Sequence, residues 1–139
     1  MIRRAKISDI PRLCELMTQL GSNNLPNPSK VRDKFNYIIN SPDYYVVVWS
    51  TNEILLGSAT ILLEHRFSTT KSIVAHLENV IVDEKYRKMG YGSRLIKNCL
   101  EFAKRAGAYK VILNCSEENV RYYEKLGFKA YEVGMRMDL

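Results

Sequence analysis

The chain offers its clearest chemistry where Arg87, Lys88, Met89, Gly90, Tyr91, Gly92 and Ser93 follow the apolar run at residues 77–82. A buried strand, a charged turn at 83–87, a glycine loop at 88–92 and then an amphipathic helix is a ready anion site. The first N–H groups of a helix have no partner within it, and the helix dipole adds partial positive charge there. Glycine at positions 90 and 92 lets a ligand approach the backbone where a Cβ would stand. Arg87 and Lys88 bring two formal cations beside those donors. The stretch reads as a cradle for a pyrophosphate. The same residues also serve a plain strand-to-helix connection. The loop lacks the lysine and Ser/Thr of GxxxxGK[ST], and Arg87 stands where a dinucleotide fingerprint has its first glycine.

Other reactive side chains are sparse. Cys14, Cys99 and Cys115 have no metal-like spacing, and His65 and His76 are the only histidines. Cys14 and Cys99 fall on apolar helix faces and are expected to be buried thiols. Cys115 lies just past a strand near the expected chemistry, without a base close in sequence. No metal site is expected. The net charge is +6, but acids are scattered among the bases and no run of five like charges occurs, so nucleic acid is not the expected partner. A positive surface equally suits an anionic small molecule.

At 139 residues, 46% hydrophobic and 26% charged, the chain is expected to form one domain over residues 1–139 that buries about two-thirds of its unfolded surface. It has no apolar run of about 18 residues, the length a membrane helix needs. Its opening MIRRAKISD lacks the apolar core of a signal peptide. A cytoplasmic protein that does not engage membranes is therefore expected.

The elements that must position these residues follow from periodicity. Residues 2–7 read as a strand, and Ser8 as the cap of a helix with Asp9 and Pro11 in its first turn. Ile10, Leu13, Cys14, Met17 and Leu20 form the inward face of that helix, and Gly21 closes it. The loop GSNNLPNP is polar and expected to be exposed. Ser29 opens a second helix with Val31, Phe35, Ile38 and Ile39 inward. Residues 44–49, 54–67 and 73–82 read as strands of an antiparallel meander, with Gly57 at a bulge. Leu95, Ile96, Cys99, Leu100 and Ala103 are the inward stripe of the helix after the glycine loop. A strand at 109–113, a helix capped by Ser116 and a last strand at 128–137 complete the order β-α-α-β-β-β-α-β-α-β. This is an α/β fold with a mostly antiparallel sheet flanked by helices and one parallel crossover.

The words RKMGYG after LENVIV resemble the acyl-CoA signature [RQ]xxGx[GA] of the GNAT N-acetyltransferase superfamily. IRRAKISDIPRL is similar to the opening of such enzymes. HLENVIV and YKVILNCSEENVRYYEKLGF resemble the matching segments of the branch that acetylates phosphorylated amino sugars such as glucosamine-6-phosphate. The likeness spans nearly the whole chain and is strongest from Ala59 onward. It implies acetyl-CoA as co-substrate, a primary amine as acceptor and direct attack without a covalent acetyl-enzyme. It also implies a coenzyme arm lying between splayed strands at 78–82 and 110–115. The loop amides at Met89, Gly90, Tyr91, Gly92 and Ser93 would hold the pyrophosphate, with Val80, Ile81 and Val82 along the arm. The N–H of Val80 or a neighbour would face the thioester oxygen.

By the same resemblance Tyr123 is the acid for the departing thiolate, and Asn119 bonds the coenzyme arm. A phenol with a pKa of about 10 can protonate a thiolate while staying neutral itself. Val120, Tyr123 and Leu126 share a face, so packing alone also accounts for Tyr123, and Tyr122 is the fallback acid. Glu78 would bind the acceptor ammonium and take its proton; otherwise it is a solvated strand residue. His76 matches a family histidine and is equally a structural residue. Arg66 in EHRF and Arg136 on the last strand would neutralise an acceptor phosphate. Arg136 would act across a homodimer, since that branch exchanges its last strand between subunits.

The departures concern the acceptor. Asn79 and Asn114 stand where the branch has carboxylates, which removes negative charge near an amine. Gly21 replaces a threonine of QLTxxG. Asn114 can orient an amine but cannot accept its proton. Another acceptor (a polyamine, an amino acid or a protein N-terminus) and a non-catalytic acyl-CoA-binding domain are the alternatives.

Overall fold

Three long β-rich segments build the sheet on which everything else is laid. In the computed structural model, which describes residues 1–21, 26–52, 54–68 and 70–139, β1 (Ile2–Arg4), β2 (Tyr44–Thr51), β3 (Ile54–His65), β4 (Ile73–Val82) and β5 (Lys110–Ile112) lie in that order across one sheet. The first three pairings are antiparallel and the β4–β5 pairing is parallel. A parallel neighbour requires a crossover, supplied here by α3 (Tyr91–Arg105).

Side chains alternate across the sheet, and each face has its own helical cover. On one face α3 seats Leu95, Ile96, Cys99 and Ala103 against Val47, Ala59, Ile61, Ala75 and Leu77. On the other, α1 (Ile10–Thr18) and α2 (Pro28–Asn40) cover Val46, Val48, Leu55 and Ile81 with Leu13, Leu16, Met17, Phe35 and Ile38. Leu16 is fully buried, although the expected stripe of α1 omitted it, whereas Leu20 is 49% exposed beyond the helix. A 3₁₀ turn at Ile7–Asp9 precedes α1, so Ser8 lies inside that turn and does not cap. Asp9 instead accepts the Lys6 N–H at 2.7 Å and a two-pronged bond from Arg3 at 2.8 Å. α2 starts at Pro28, one residue ahead of the expected Ser29, and is capped by Asn27, whose side chain accepts the Ser29 N–H. Residues 22–25 of the polar loop lie outside the described residues.

Two register shifts bend the sheet. Trp49 faces Gly57 while Ser50 faces Leu55, so Leu56 is the extra residue of a bulge beside Gly57. Thr60 faces Glu78 while Ser58 faces Ile81, so Ala59 stands against both Asn79 and Val80. Asn79 takes φ +50° there.

The expected last strand does not form. Beyond Phe128 the chain has no strand or helix, and Val133, Met135 and Met137 are 90%, 96% and 83% exposed. The segment passes β5 closely enough for Glu132 to reach Lys110 at 3.9 Å, yet it makes no ladder with it. The α4 helix is also shorter than expected, running Val120–Glu124 after a 3₁₀ turn at Glu117–Asn119.

Arg12 locks α1 to the exit of β4. Its Nε donates to the Leu55 carbonyl at 3.2 Å and its Nη2 donates to Asp83. Asp83, 5% exposed, also accepts the Lys85 N–H at 3.0 Å. That backbone bond and Arg12 together outweigh the opposing effect of burial and hold the carboxyl below the usual carboxylate range. A depressed folded-state pKa contributes stability above the unfolded value, about 3.9, and loses it as pH falls through the folded value. Asp83→Asn is expected to cost about 2–3 kcal/mol at pH 7. In urea titrations the gap from the parent protein should narrow progressively as pH drops below about 4.

Candidate active site

β4 and β5 pair only at Val74–Lys110, Ala75–Val111 and His76–Ile112. From Leu77 to Val82 no strand of the described residues lies against the β5-facing edge of β4. Leu113, Asn114 and Cys115 continue without strand pairing, with Asn114 and Cys115 exposed. This open edge of β4, with the bulge along it, is the candidate cleft. Glu78 and Asn79 on that segment are exposed and Val80 is half-buried.

At one end of the cleft stands the start of α3. Gly90 is its N-cap in the left-handed region, φ +82°, where glycine carries no penalty. The first intrahelical bond is Arg94 N–H to the Gly90 carbonyl at 3.2 Å, so the amides of Tyr91, Gly92 and Ser93 precede the helical ladder. The donor set is therefore centred on residues 91–93. Lys88 and Met89 are exposed, and Lys88 holds φ +65°. Arg87 is anchored, with its Nε donating to the Val82 carbonyl at 3.1 Å and its Nη2 to Gln19 at 3.3 Å. The same Gln19 oxygen accepts the Glu84 N–H at 3.0 Å. Gln19 was not among the residues expected at the site; a lone glutamine after a helix gives no sign that it spans 68 positions to the loop.

Tyr123 comes from α4 on the far wall. It is half-buried, edge-on to Phe128 at 5.9 Å and to Tyr122 at 5.2 Å between ring centroids. Burial, then Tyr122 and Cys115, pushes its phenol above the ordinary value, which keeps it protonated at neutral pH. Asn119 sits at the head of α4, with its amide donating to Ser116 Oγ at 3.1 Å. Tyr122, the fallback acid, reaches the start of α3. Its hydroxyl lies 3.4 Å from Ser93 Oγ, over the first turn of α3.

On the α1–α2 side of the sheet, Thr60 and Glu64 share a face with His76 and Glu78, as their cross-strand pairing requires. His76 Nε2 meets Glu64 at 2.6 Å, and Arg66 meets Glu64 with Nε at 3.3 Å and Nη2 at 3.4 Å. His76 first and Arg66 second hold the Glu64 carboxyl below its usual range. Arg66 is thus paired with Glu64, near the row that carries Glu78. His65, one position on, pairs with Asp43 at 2.7 Å. Arg136 is not brought to the cleft; it pairs with Asp138 at 2.6 Å on the exposed tail. Cys14 and Cys99 are buried, and burial pushes the Cys99 thiol up to about 12.

An α/β sheet parted beside a parallel crossover, with a glycine-capped helix at the opening, defines the class. The acetyltransferase (GNAT) family profile matches residues 10–128, and the chain belongs to that family. Over 85 residues it is 44% identical to glucosamine 6-phosphate N-acetyltransferase of Trypanosoma brucei brucei, covering 61% of this chain and 58% of that protein. The matched part therefore spans less than two-thirds of that relative's length. Over 95 residues it is 35% identical to the Schizosaccharomyces pombe protein of the same name, covering 67% of this chain and 86% of that one. The crystal structure of glucosamine-6-phosphate N-acetyltransferase from Arabidopsis thaliana superposes with a TM-score of 0.90 at 27% identity, covering 99% and 97% of the two chains.

The bulge residue supplies a direct check on the cleft floor. A left-handed residue costs roughly 1–2 kcal/mol for most L side chains, less for Asn and nothing steric for Gly. Asn79→Val should lower stability by about 1–2 kcal/mol in urea unfolding, while Asn79→Gly should stay close to the parent protein.

Proposed function

We propose that this protein transfers the acetyl group of acetyl-CoA to the primary amine of glucosamine-6-phosphate, by direct attack on the thioester. The observation that carries the reading is the opening of β4 from β5 after His76 and Ile112, with helix-start amides at one end. The names of the two relatives support the acceptor.

In this reading the amides of residues 91–93 hold the coenzyme diphosphate, with Lys88 and Arg87 lending positive field. The arm lies along Val80, Ile81 and Val82, and Asn119 bonds it from the other wall. The Val80 N–H, at the bulge, faces the thioester oxygen and stabilises the oxyanion. Glu78 receives the acceptor ammonium and takes its proton directly or through water, and Asn114 orients the amine. Nitrogen attacks the carbonyl carbon, the tetrahedral species collapses as Tyr123 gives its proton to the departing sulfur, and the second proton of the nitrogen returns to the Tyr123 phenolate, leaving a neutral amide and thiol. Arg66 exchanges its Glu64 partner for the acceptor phosphate. Asn79 serves through backbone shape: a left-handed bulge residue is compatible with an amide as well as an acid.

The protein works in this reading as a homodimer. The alternating exposed side chains of Val133, Met135 and Met137 fit a strand whose partner is another subunit, and Arg136 on that segment would reach a neighbouring acceptor site. A reducing, cytoplasmic setting accords with three unpaired thiols.

Thiol release from acetyl-CoA across an amine panel tests the reading. Glucosamine-6-phosphate should be turned over well ahead of glucosamine, polyamines and amino acids. Tyr123→Phe should lower turnover about 100-fold or more while coenzyme affinity stays within about threefold. Coenzyme binding without thiol release for any amine would replace an enzyme with a binding domain.

A further inference from the structure

Nothing in the reading above uses Tyr122, yet its hydroxyl stands against the helix start. Its hydroxyl lies only 2.8 Å from where a Cβ on Gly92 would be, and its ring carbon Cζ lies at 3.8 Å. Real Cβ atoms do not approach an oxygen that closely, so the hydroxyl occupies the space that glycine leaves at 92. The backbone of Gly92 is ordinary helix, so glycine is not demanded there by φ; a methyl at 92 would instead displace the Tyr122 hydroxyl, the far end of an exposed side chain. The other neighbour of that position is Val82 Cγ2 at 3.5 Å, an ordinary contact at the end of β4. Tyr122 thus reaches from α4, on one wall of the cleft, across to α3 on the other.

The hydroxyl is poorly satisfied where it stands. Among the described residues its hydrogen-bond partner is Ser93 Oγ at 3.4 Å, a long bond for two hydroxyls. Tyr122 is 38% exposed, so its proton is free to turn toward a ligand. Two hydroxyls and three amides then converge over the first turn of a 15-residue helix.

We infer that the Tyr122 hydroxyl is a side-chain donor to the coenzyme diphosphate, closing the cradle of residues 91–93 from the α4 side and filling the space that glycine leaves at 92. The inference rests on the acetyl-CoA reading of the cleft and adds to it a residue that ties the diphosphate to the helix carrying Tyr123. An O–H bond to a charged phosphate oxygen is shorter and stronger than one between neutral groups. The position over α3, beyond the C-terminal end of β4, suits a diphosphate contact and not the protonation of sulfur.

Calorimetric titration with coenzyme A tests it in a double-mutant cycle. Tyr122→Phe removes one oxygen from a half-exposed ring and should weaken binding about tenfold. Gly92→Ala should weaken binding strongly in the parent background, where the new methyl displaces the hydroxyl. In the Tyr122→Phe background it should cost several-fold less, because no hydroxyl remains to be displaced. Unchanged affinity in Tyr122→Phe, or equal losses for Gly92→Ala in both backgrounds, would overturn the role of Tyr122 and leave the acetyl-CoA reading standing. Tighter binding by Tyr122→Phe would make the hydroxyl an obstacle and also overturn it. Absence of heat with the folded parent protein would remove both.

Discussion

β4 and β5 share three residue pairs and then separate, and the peptide groups released along that edge of β4 must find partners outside the sheet. The constraint shapes the neighbourhood. β5 is only three residues long, and α4 begins soon after it, so the far wall is made of turns and a single helical turn. β4 continues six residues past its last β5 partner, held on its other side by β3 alone. The bulge at Asn79 and Val80 falls in that unsupported stretch, where an extra residue disturbs one ladder and not two.

An open edge of this kind needs a stiff frame, and the frame comes from sequence-distant side chains. Arg12 reaches from α1 to the Leu55 carbonyl and to Asp83, joining the first helix to β3 and to the turn that leaves β4. Gln19, just past the same helix, accepts from Glu84 and Arg87. The charged turn after β4 is therefore held by α1 from behind, and the helix start that follows it is fixed by Arg87 on Val82. Cations that look available to a ligand in the sequence are partly occupied in holding the loop. The donor set that remains is mostly backbone, which does not depend on rotamers.

Much of this arrangement is readable from residue order because it is locally encoded. The bounds of β4 and the inward stripe of α3 follow from periodicity, and the glycine loop from its position between them. The second helix starts at Pro28, one residue before Ser29, because Asn27 caps it. Other features depend on tertiary neighbours and leave no local trace. Asn79 is one asparagine in a strand-like run, and only its register against Ala59 reveals the bulge. Tyr122 and Tyr123 are adjacent in sequence, and helix geometry alone does not say which approaches Gly92. The run at 128–137 has the alternation of a strand, but a strand is a pairing, and the single chain provides none.

The three thiols differ sharply in accessibility. Cys99 is enclosed beneath α3 and Cys14 beneath α1, with burial raising both above the ordinary thiol value. Cys115 alone faces solvent, directly after the point where β5 leaves β4. A maleimide-linked fluorophore would thus attach at a single place, on the rim of the cleft, without any cysteine having to be removed. The native chain comes with its own reporter position for following how that rim moves.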